Sequence, residues 1–202
     1  MYARVASFEG RDPSLTDELI ARVRERGPGA VSAARGFLGL FDRERGTALG
    51  ITFFDSEEAI RDSEQAFEDM AQQFPAEMRG RRTSVETYEV TIEEGGEGAK
   101  AARVSSLEGS PDGIDESAIK AREETLPKAR ELPGWKGAIG LADRKSGRLK
   151  MITLWESADA LRASEEQADR LRKETAESGG QRVTGVDRYG VELADRLREV
   201  TV

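Results

Sequence analysis

The sequence predicts an α+β protein of two tandem ferredoxin-like βαββαβ repeats, whose antiparallel sheets pair within one chain as a closed eight-stranded arrangement. Three observations carry this. The 202-residue chain contains itself twice; each copy alternates strand and helix signals in the order β-α-β-β-α-β; and a Gly- and Glu-rich stretch divides the copies.

The repeat is read residue by residue. Asp42-Arg43 with Gly46 recurs as Asp143-Arg144 with Gly147, and Ile51-Thr52-Phe53-Phe54-Asp55-Ser56 as Ile152-Thr153-Leu154-Trp155-Glu156-Ser157. Arg61, Ser63, Glu64, Val85, Tyr88 and Val90 recur as Arg162, Ser164, Glu165, Val186, Tyr189 and Val191, all at one offset of 101. The starts match at 99, Ala3-Arg4-Val5 against Ala102-Arg103-Val104, so a small indel falls in the first helix or the loop after it. The repeats are expected over 1–92 and 100–193, with a flexible acidic linker over 93–99 and a charged, weakly helical tail over 194–202.

Each element has a local cause. Tyr2–Phe8 and Ala101–Leu107 are short runs with β-branched or aromatic members. Asp12-Pro13 offers a cap with proline in the first turn, ahead of Leu15, Leu19, Ile20 and Val23 at helical spacing. In the second copy Asp112 or Asp115 caps a helix reaching about Arg130, which Pro127 kinks or ends. Phe37–Asp42 with Thr47–Phe54, and Trp135–Asp143 with Arg148–Trp155, are hairpins whose turns use Gly46 and Gly147 for positive φ. Ser56 and Ser157 are N-caps. Ala59, Ile60, Ser63, Ala66, Phe67, Met70 and Phe74 trace an apolar stripe, and Ala160, Leu161, Ser164, Ala168 and Leu171 trace it again. Thr83–Val90 and Val183–Leu193 close the units as last strands. Helices cover one face of such a sheet, and the second copy's sheet can cover the other.

Composition excludes much chemistry. The chain has no Cys, no His and no Asn, and 31 basic against 39 acidic residues for a net charge of −8. Disulfides, thiolate metal sites, cysteine nucleophiles and the Ser-His-Asp arrangement are out. Acidity argues against duplex nucleic acid as a partner. No apolar run approaches the ~20 residues that span a bilayer, and Met1–Gly10 has no secretory pattern, so no membrane partner and a cytoplasmic location are expected. Gly27-Pro28-Gly29 and Gly95-Gly96-Glu97-Gly98 do not form a dinucleotide or phosphate loop, and the acidic residues lack EF-hand spacing. No cofactor and no metal are expected.

Leu132-Pro133-Gly134-Trp135-Lys136-Gly137, Asp143-Arg144-Lys145-Ser146-Gly147 and Ile152-Thr153-Leu154-Trp155-Glu156-Ser157 resemble the antibiotic-biosynthesis-monooxygenase group of dimeric α/β-barrel proteins. There a Pro-Gly turn leads into strand two, and a Trp-Glu-Ser-like segment ends strand three and caps helix two. The first copy is degenerate, with Phe54-Asp55-Ser56 and no Pro-Gly before Phe37. The resemblance implies an intramolecular version of the dimeric barrel, hence a monomer, with a homodimer as alternative. It also implies haem degradation or cofactor-independent oxygenation of aromatic polyphenols. The haem-degrading members use a strand-one Asn, a strand-three Trp and a helix-two His that binds iron. Only the Trp has a counterpart, Trp155; Glu165 and Glu64 stand near the position of the His. His-ligated haem degradation is therefore not expected.

The candidate site residues follow. Trp155 and its counterpart Phe54 are read as walls for a small flat apolar or aromatic ligand, or else as core aromatics. Ser63, Ser164 and Glu165 would join that ligand site, although a helix Ser also bonds the carbonyl one turn back. Arg103 with Asp187, and Arg4 with Glu86, sit on neighbouring strands with Tyr189 and Tyr88. They are read as sheet ion pairs or as a polar cluster in which Arg holds an anion and Tyr moves a proton. If the protein is an enzyme, it is a cofactor-independent monooxygenase acting through Tyr189, Arg103 and Asp187, or Tyr88, Arg4 and Glu86. The alternative is a non-catalytic ligand-binding or protein-interaction module.

Overall fold

The structure is a computed structural model that describes residues 1–26 and 30–195. Gly27-Pro28-Gly29 and the tail beyond Asp195 lie outside the described residues. The chain runs β1 (Tyr2–Glu9), α1 (Thr16–Arg26), β2 (Gly36–Asp42), β3 (Thr47–Phe54), α2 (Glu57–Asp62), α3 (Glu64–Gln72), α4 (Ala76–Arg79) and β4 (Arg81–Gly95). It then repeats as β5 (Ala101–Glu108), α5 (Ile114–Lys120), α6 (Leu126–Arg130), β6 (Trp135–Asp143), β7 (Arg148–Trp155), α7 (Ala158–Ala163), α8 (Glu165–Ser178) and β8 (Arg182–Asp195). The strands hydrogen-bond in the order β1-β3-β2-β8-β5-β7-β6-β4, and this order closes as a barrel. This is the α+β class with ferredoxin-like element order that the repeat predicted.

Two compact units form: Met1–Thr87 with the strand end from Gly190, and Tyr88–Tyr189. They do not coincide with the sequence repeats, because the last strands are long. β4 has 15 residues and β8 has 14, against 7 to 9 for the other strands. In the first unit β1 and β2 flank β3, and β2 also pairs with the end of β8, from Phe41 opposite Gly190 to Phe37 opposite Asp195. In the second unit β5 and β6 flank β7, and β6 also pairs with the end of β4, from Glu89 opposite Ala142 to Gly95 opposite Gly137. Glu93, Glu94 and Gly95, expected to begin a linker, are therefore strand residues. Ala194 and Asp195, expected as the start of a helical tail, pair with Leu38 and Phe37 as strand.

The helices show where local chemistry overrides a simple stripe. Ser56 and Ser157 cap as expected, each side chain accepting from the N–H three residues on. Each second helix is then broken, at Ser63 and at Ser164, which have ψ near zero. Ser63 Oγ donates to the Ala59 carbonyl and Ser164 Oγ to the Leu161 carbonyl, both at 2.7 Å. A hydroxyl bonding back in this way competes with the helical ladder and bends the axis. Pro127 does not end its helix, which continues as α6 to Arg130. Between α5 and α6 the residues Ala121–Thr125 form a π-helical turn. Proline has no N–H to give to the carbonyl four residues back, so the missing bond is absorbed by widening that turn.

Each unit buries its own core. Leu19, Phe41, Phe74, Met78 and Leu193 pack together in the first. Ile92, Ala121, Leu126 and Ala138 do so in the second, beside a cluster of Ala101, Leu132, Trp155 and Leu161. Among the described residues, no helix is long and apolar enough to cross a membrane.

The hairpin turns anchor this packing. Gly147 has φ +74°, and a Cβ there would come within 2.0 Å of the Gly109 carbonyl oxygen. Gly147→Ala is expected to cost about 1–3 kcal/mol from backbone strain alone, whereas Gly185→Ala, with open space around it, should stay within ~0.5 kcal/mol of wild type. Urea unfolding of the two variants checks the difference.

Candidate functional site

In each unit the first strand sends an arginine toward the broken helix. Arg103 on β5 is 1% exposed. Its Nη2 donates to the Leu161 carbonyl at 2.9 Å, to Ser164 Oγ at 3.1 Å and to Glu165 Oε2 at 3.0 Å. Arg4 on β1 is 3% exposed and makes a two-point contact with Glu64, Nε to Oε1 at 2.9 Å and Nη2 to Oε2 at 3.2 Å. Its guanidinium carbon lies 3.9 Å from the centre of the Phe67 ring. The corresponding Arg103 carbon lies 5.4 Å from the Trp155 ring.

The carboxylate that meets each arginine comes from the helix, not from the last strand. This corrects the expected cross-strand pairing of Arg4 with Glu86 and Arg103 with Asp187, and the reason is strand parity. Arg188 reaches Glu165, with Nε to Oε2 at 3.0 Å and Nη2 to Oε1 at 2.7 Å, so Arg188 shares the helix-covered face with Arg103. Alternation then sends Asp187 and Tyr189 to the opposite face. Arg188 has Thr87 at the matching position of the first copy, so repetition gave no signal for it.

Between sheet and helices each unit holds a cavity. The second unit's is about 110 Å³ and is bounded by Arg103, Ile114, Leu126, Met151, Trp155 and Leu171, among others. The π-helical turn contributes Ala121 and Thr125 to its wall. The first unit's is about 140 Å³, with Arg4, Leu19, Phe41, Phe67, Phe74 and Leu193 in its lining. An apolar cavity of ~150 Å³ takes up a benzene-sized molecule, so both are on the scale of one ring.

The predicted residues distribute unevenly over these cavities. Trp155 is 1% exposed, lines the second cavity, and donates its Nε1–H to Thr153 Oγ1 at 3.0 Å. Arg103 and Arg4 line their respective cavities. Ser164 and Glu165 stand behind Arg103 as its acceptors, and Ser63 bonds Ala59. Phe54 is fully buried with Ile60 and Phe67, edge-on to Phe67 at 6.2 Å, and does not line the first cavity. Tyr88 is buried, with Lys150 Nζ 5.9 Å from its ring centre. Tyr189, Asp187, Tyr88 and Glu86 are not in either lining.

The linings share an electrostatic property. Arg103, Lys150 and Arg172 line one cavity and Arg4, Arg11, Arg79 and Arg82 the other, and neither lining contains Asp or Glu among the described residues. Of these cations only Arg4 and Arg103 were singled out in the sequence. Burial pulls the Arg103 guanidinium below its ordinary pKa, and Glu165 partly restores it. Two of its nitrogens, Nε and Nη1, are buried without a partner. Among the described residues no group of three or more acidic side chains converges to hold a metal ion.

The chain resembles known proteins in sequence and in fold. No family model matches it. An uncharacterized protein of Mycobacterium tuberculosis strain H37Rv is 26% identical over 189 residues, spanning 90% of this chain and 83% of that protein. An anthrone oxidase-like protein of known structure superposes with a TM-score of 0.69 at 16% identity, covering 98% of this chain and 94% of that one. A ferredoxin-fold protein of Listeria monocytogenes related to antibiotic biosynthesis monooxygenases superposes at 0.52 with 11% identity, covering 94% of each. At these identities the likeness shows the fold. The chain has the ferredoxin-like architecture of antibiotic-biosynthesis-monooxygenase-like proteins.

Glu165 carries a measurable consequence. Burial raises its pKa, but the Arg188 hydrogen bonds and the Arg103 charge more than reverse this, leaving it below its ordinary value of 4.5. A lowered carboxylate stabilises the fold in full above the ordinary value, and that contribution fades as pH falls through the lowered one. Glu165 is 34% exposed, so solvent screens the effect to about 1 kcal/mol or less. Urea unfolding at about pH 7 and about pH 3 should show a smaller loss of stability on acidification for Glu165→Gln than for wild type.

Proposed function

We propose that the second unit's cavity binds a small flat aromatic molecule, with its ring against Trp155 and an electron-rich or anionic oxygen toward Arg103. The observation that carries this is the fully buried Arg103, whose Nε and Nη1 lack partners at the wall of an apolar cavity. A buried donor without an acceptor costs about 1–3 kcal/mol, more when it is charged. A ligand oxygen would recover that cost. Apolar walls with a few convergent polar groups are the usual anatomy of a small-molecule site.

The geometry supports binding more directly than proton transfer. Among the described residues the lining offers no carboxylate and no Tyr, the chain has no His, and arginine does not act as a base in proteins. Cofactor-independent oxygenation therefore fits in one form: the substrate binds as a phenolate, its charge balanced by Arg103, and gives electrons to oxygen without an enzyme base. A site of about 110 Å³ does not suit a tetrapyrrole, and a His-ligated haem has no ligand here.

Arg103→Met separates function from structure. Glu165 keeps Arg188 at 2.7 Å, so removing Arg103 does not strand a charge. The stability change is expected to stay near ~1 kcal/mol, well short of the roughly 3–5 lost when a buried pair is broken from one side. The same variant should lose binding of small phenols, read as quenching of tryptophan fluorescence. Unchanged quenching in Arg103→Met, or in Trp155→Phe when Trp135 is the remaining reporter, would overturn the reading. For catalysis, oxygen uptake with a polyphenol panel is expected to survive Tyr189→Phe and to fall with Arg103→Met.

A further inference from the structure

The first unit's cavity holds an arginine that the repeat does not share. Arg11 follows β1 and Gly10; the position matching it in the second copy is Ser110. Arg11 is 4% exposed and lines the cavity. Its backbone is pinned on two sides. Its N–H donates to the Gly46 carbonyl at 3.2 Å, and a Cβ on Gly46 would come within 2.7 Å of its carbonyl oxygen. A Cβ on Gly80 would come within 2.6 Å of its Cγ, so glycine is needed there for the side chain to pass.

The guanidinium is held but not satisfied. Its carbon lies 4.7 Å from the Phe41 ring centre, and Nη1 makes one long contact of 3.4 Å to Thr16 Oγ1. Nε and Nη2 are buried with no partner, as is Nε of the neighbouring cavity residue Arg79. Nε and Nη2 form one edge of the guanidinium, the same edge with which Arg4 grips the two oxygens of Glu64. That fork matches a carboxylate in two-point geometry. In Arg4 the fork is filled by this chain's own glutamate; in Arg11 it is open. Apart from Arg4, Arg82 and Thr52 the rest of the wall is aromatic and aliphatic, with Phe8, Phe41, Phe74 and Leu19.

We propose that the first unit's cavity is a second, separate binding site, for a monocyclic aromatic carboxylate whose carboxylate sits in the Arg11 fork beside Arg79 and whose ring packs on Phe41 and Phe74. The size of about 140 Å³ sets the limit of one ring. The charged side chains of the lining are all cations, which selects an anion, and the apolar wall selects against a small inorganic one. This site stands on its own observations and does not depend on the reading of the second cavity.

The test uses the full chain and 4-fluorobenzoate, followed by fluorine NMR. Binding is expected, with 4-fluorobenzamide, its neutral isostere, binding much more weakly. Arg11→Met should weaken 4-fluorobenzoate about tenfold or more, the scale of hydrogen bonds to a charged group. Arg11→Lys keeps the charge but not the fork and should also weaken it, which carries the test if the Met variant fails to fold. Both tryptophans lie in the second unit, so phenol quenching should be unchanged in Arg11→Lys. The proposal is overturned by no binding, by equal affinity for the amide, by displacement with inorganic phosphate as effective as with benzoate, or by binding that survives both Arg11 variants and is lost in Arg103→Met.

Discussion

Each unit depends on an arginine buried between its first strand and its second helix. A guanidinium in that position has to be compensated, because an unpaired buried charge costs several kcal/mol. The helix supplies the compensation at its own break, where Ser164 and Glu165 meet Arg103 and where Glu64, next to Ser63, meets Arg4. The break is thus part of the same device: turning the helix at the serine puts the following glutamate in reach of the sheet. The long side chain between strand and helix sets how closely they approach. What aliphatic and aromatic residues do not fill on either side of it is the cavity.

The two copies apply this device with different completeness. Arg4 is matched by both oxygens of one carboxylate, so its hydrogen bonding leaves nothing over for a ligand on that edge. Glu64 is 45% exposed, which puts the pair nearer the roughly 0–1 kcal/mol of surface bridges than the larger values of buried ones. Arg103 shares Glu165 with Arg188, so that carboxylate is divided between two guanidinium groups and Nε and Nη1 of Arg103 are left without an acceptor. Duplication allows such divergence. One copy can keep the strut as structure while the other leaves it partly open, provided each sheet and helix pair still packs.

How much of this was legible in the sequence follows from the range of each signal. The strands and hairpins were legible because each is set by residues within a few positions, such as the glycines at 46 and 147 or the serine caps at 56 and 157. Arg4 and Arg103 stood out through their recurrence as sheet ion pairs or a polar cluster, and their burial came only with the structure. Their partners were not, because pairing across a sheet turns on which face a residue takes, and a slip of one position exchanges Asp187 for Arg188. The long ends of β4 and β8 were hidden by composition: Glu93-Glu94-Gly95 reads as a linker locally, and becomes strand because β6 offers Gly137, whose missing Cβ lets the two backbones approach. Arg11 was illegible for the opposite reason to Arg4. It occurs in one copy only, in a loop, and nothing local tells that Gly46 and Gly80 turn its side chain inward.

The charge distribution reverses the sense of the overall composition. A chain with net charge −8 repels anions at long range, yet the lining of each cavity carries cations and no carboxylate among the described residues. Screening reconciles the two. At physiological ionic strength exposed charges fade over about 8 Å, whereas a buried guanidinium in a low-dielectric wall keeps its field. An anion therefore loses little on approach and gains mainly on entry. Discrimination then rests on the cavity rather than on the surface: an inorganic anion has no apolar surface to bury, and a neutral ring leaves the buried N–H groups unsatisfied. Only a ligand that is both apolar and anionic answers both demands, and the acidic exterior is no obstacle to it.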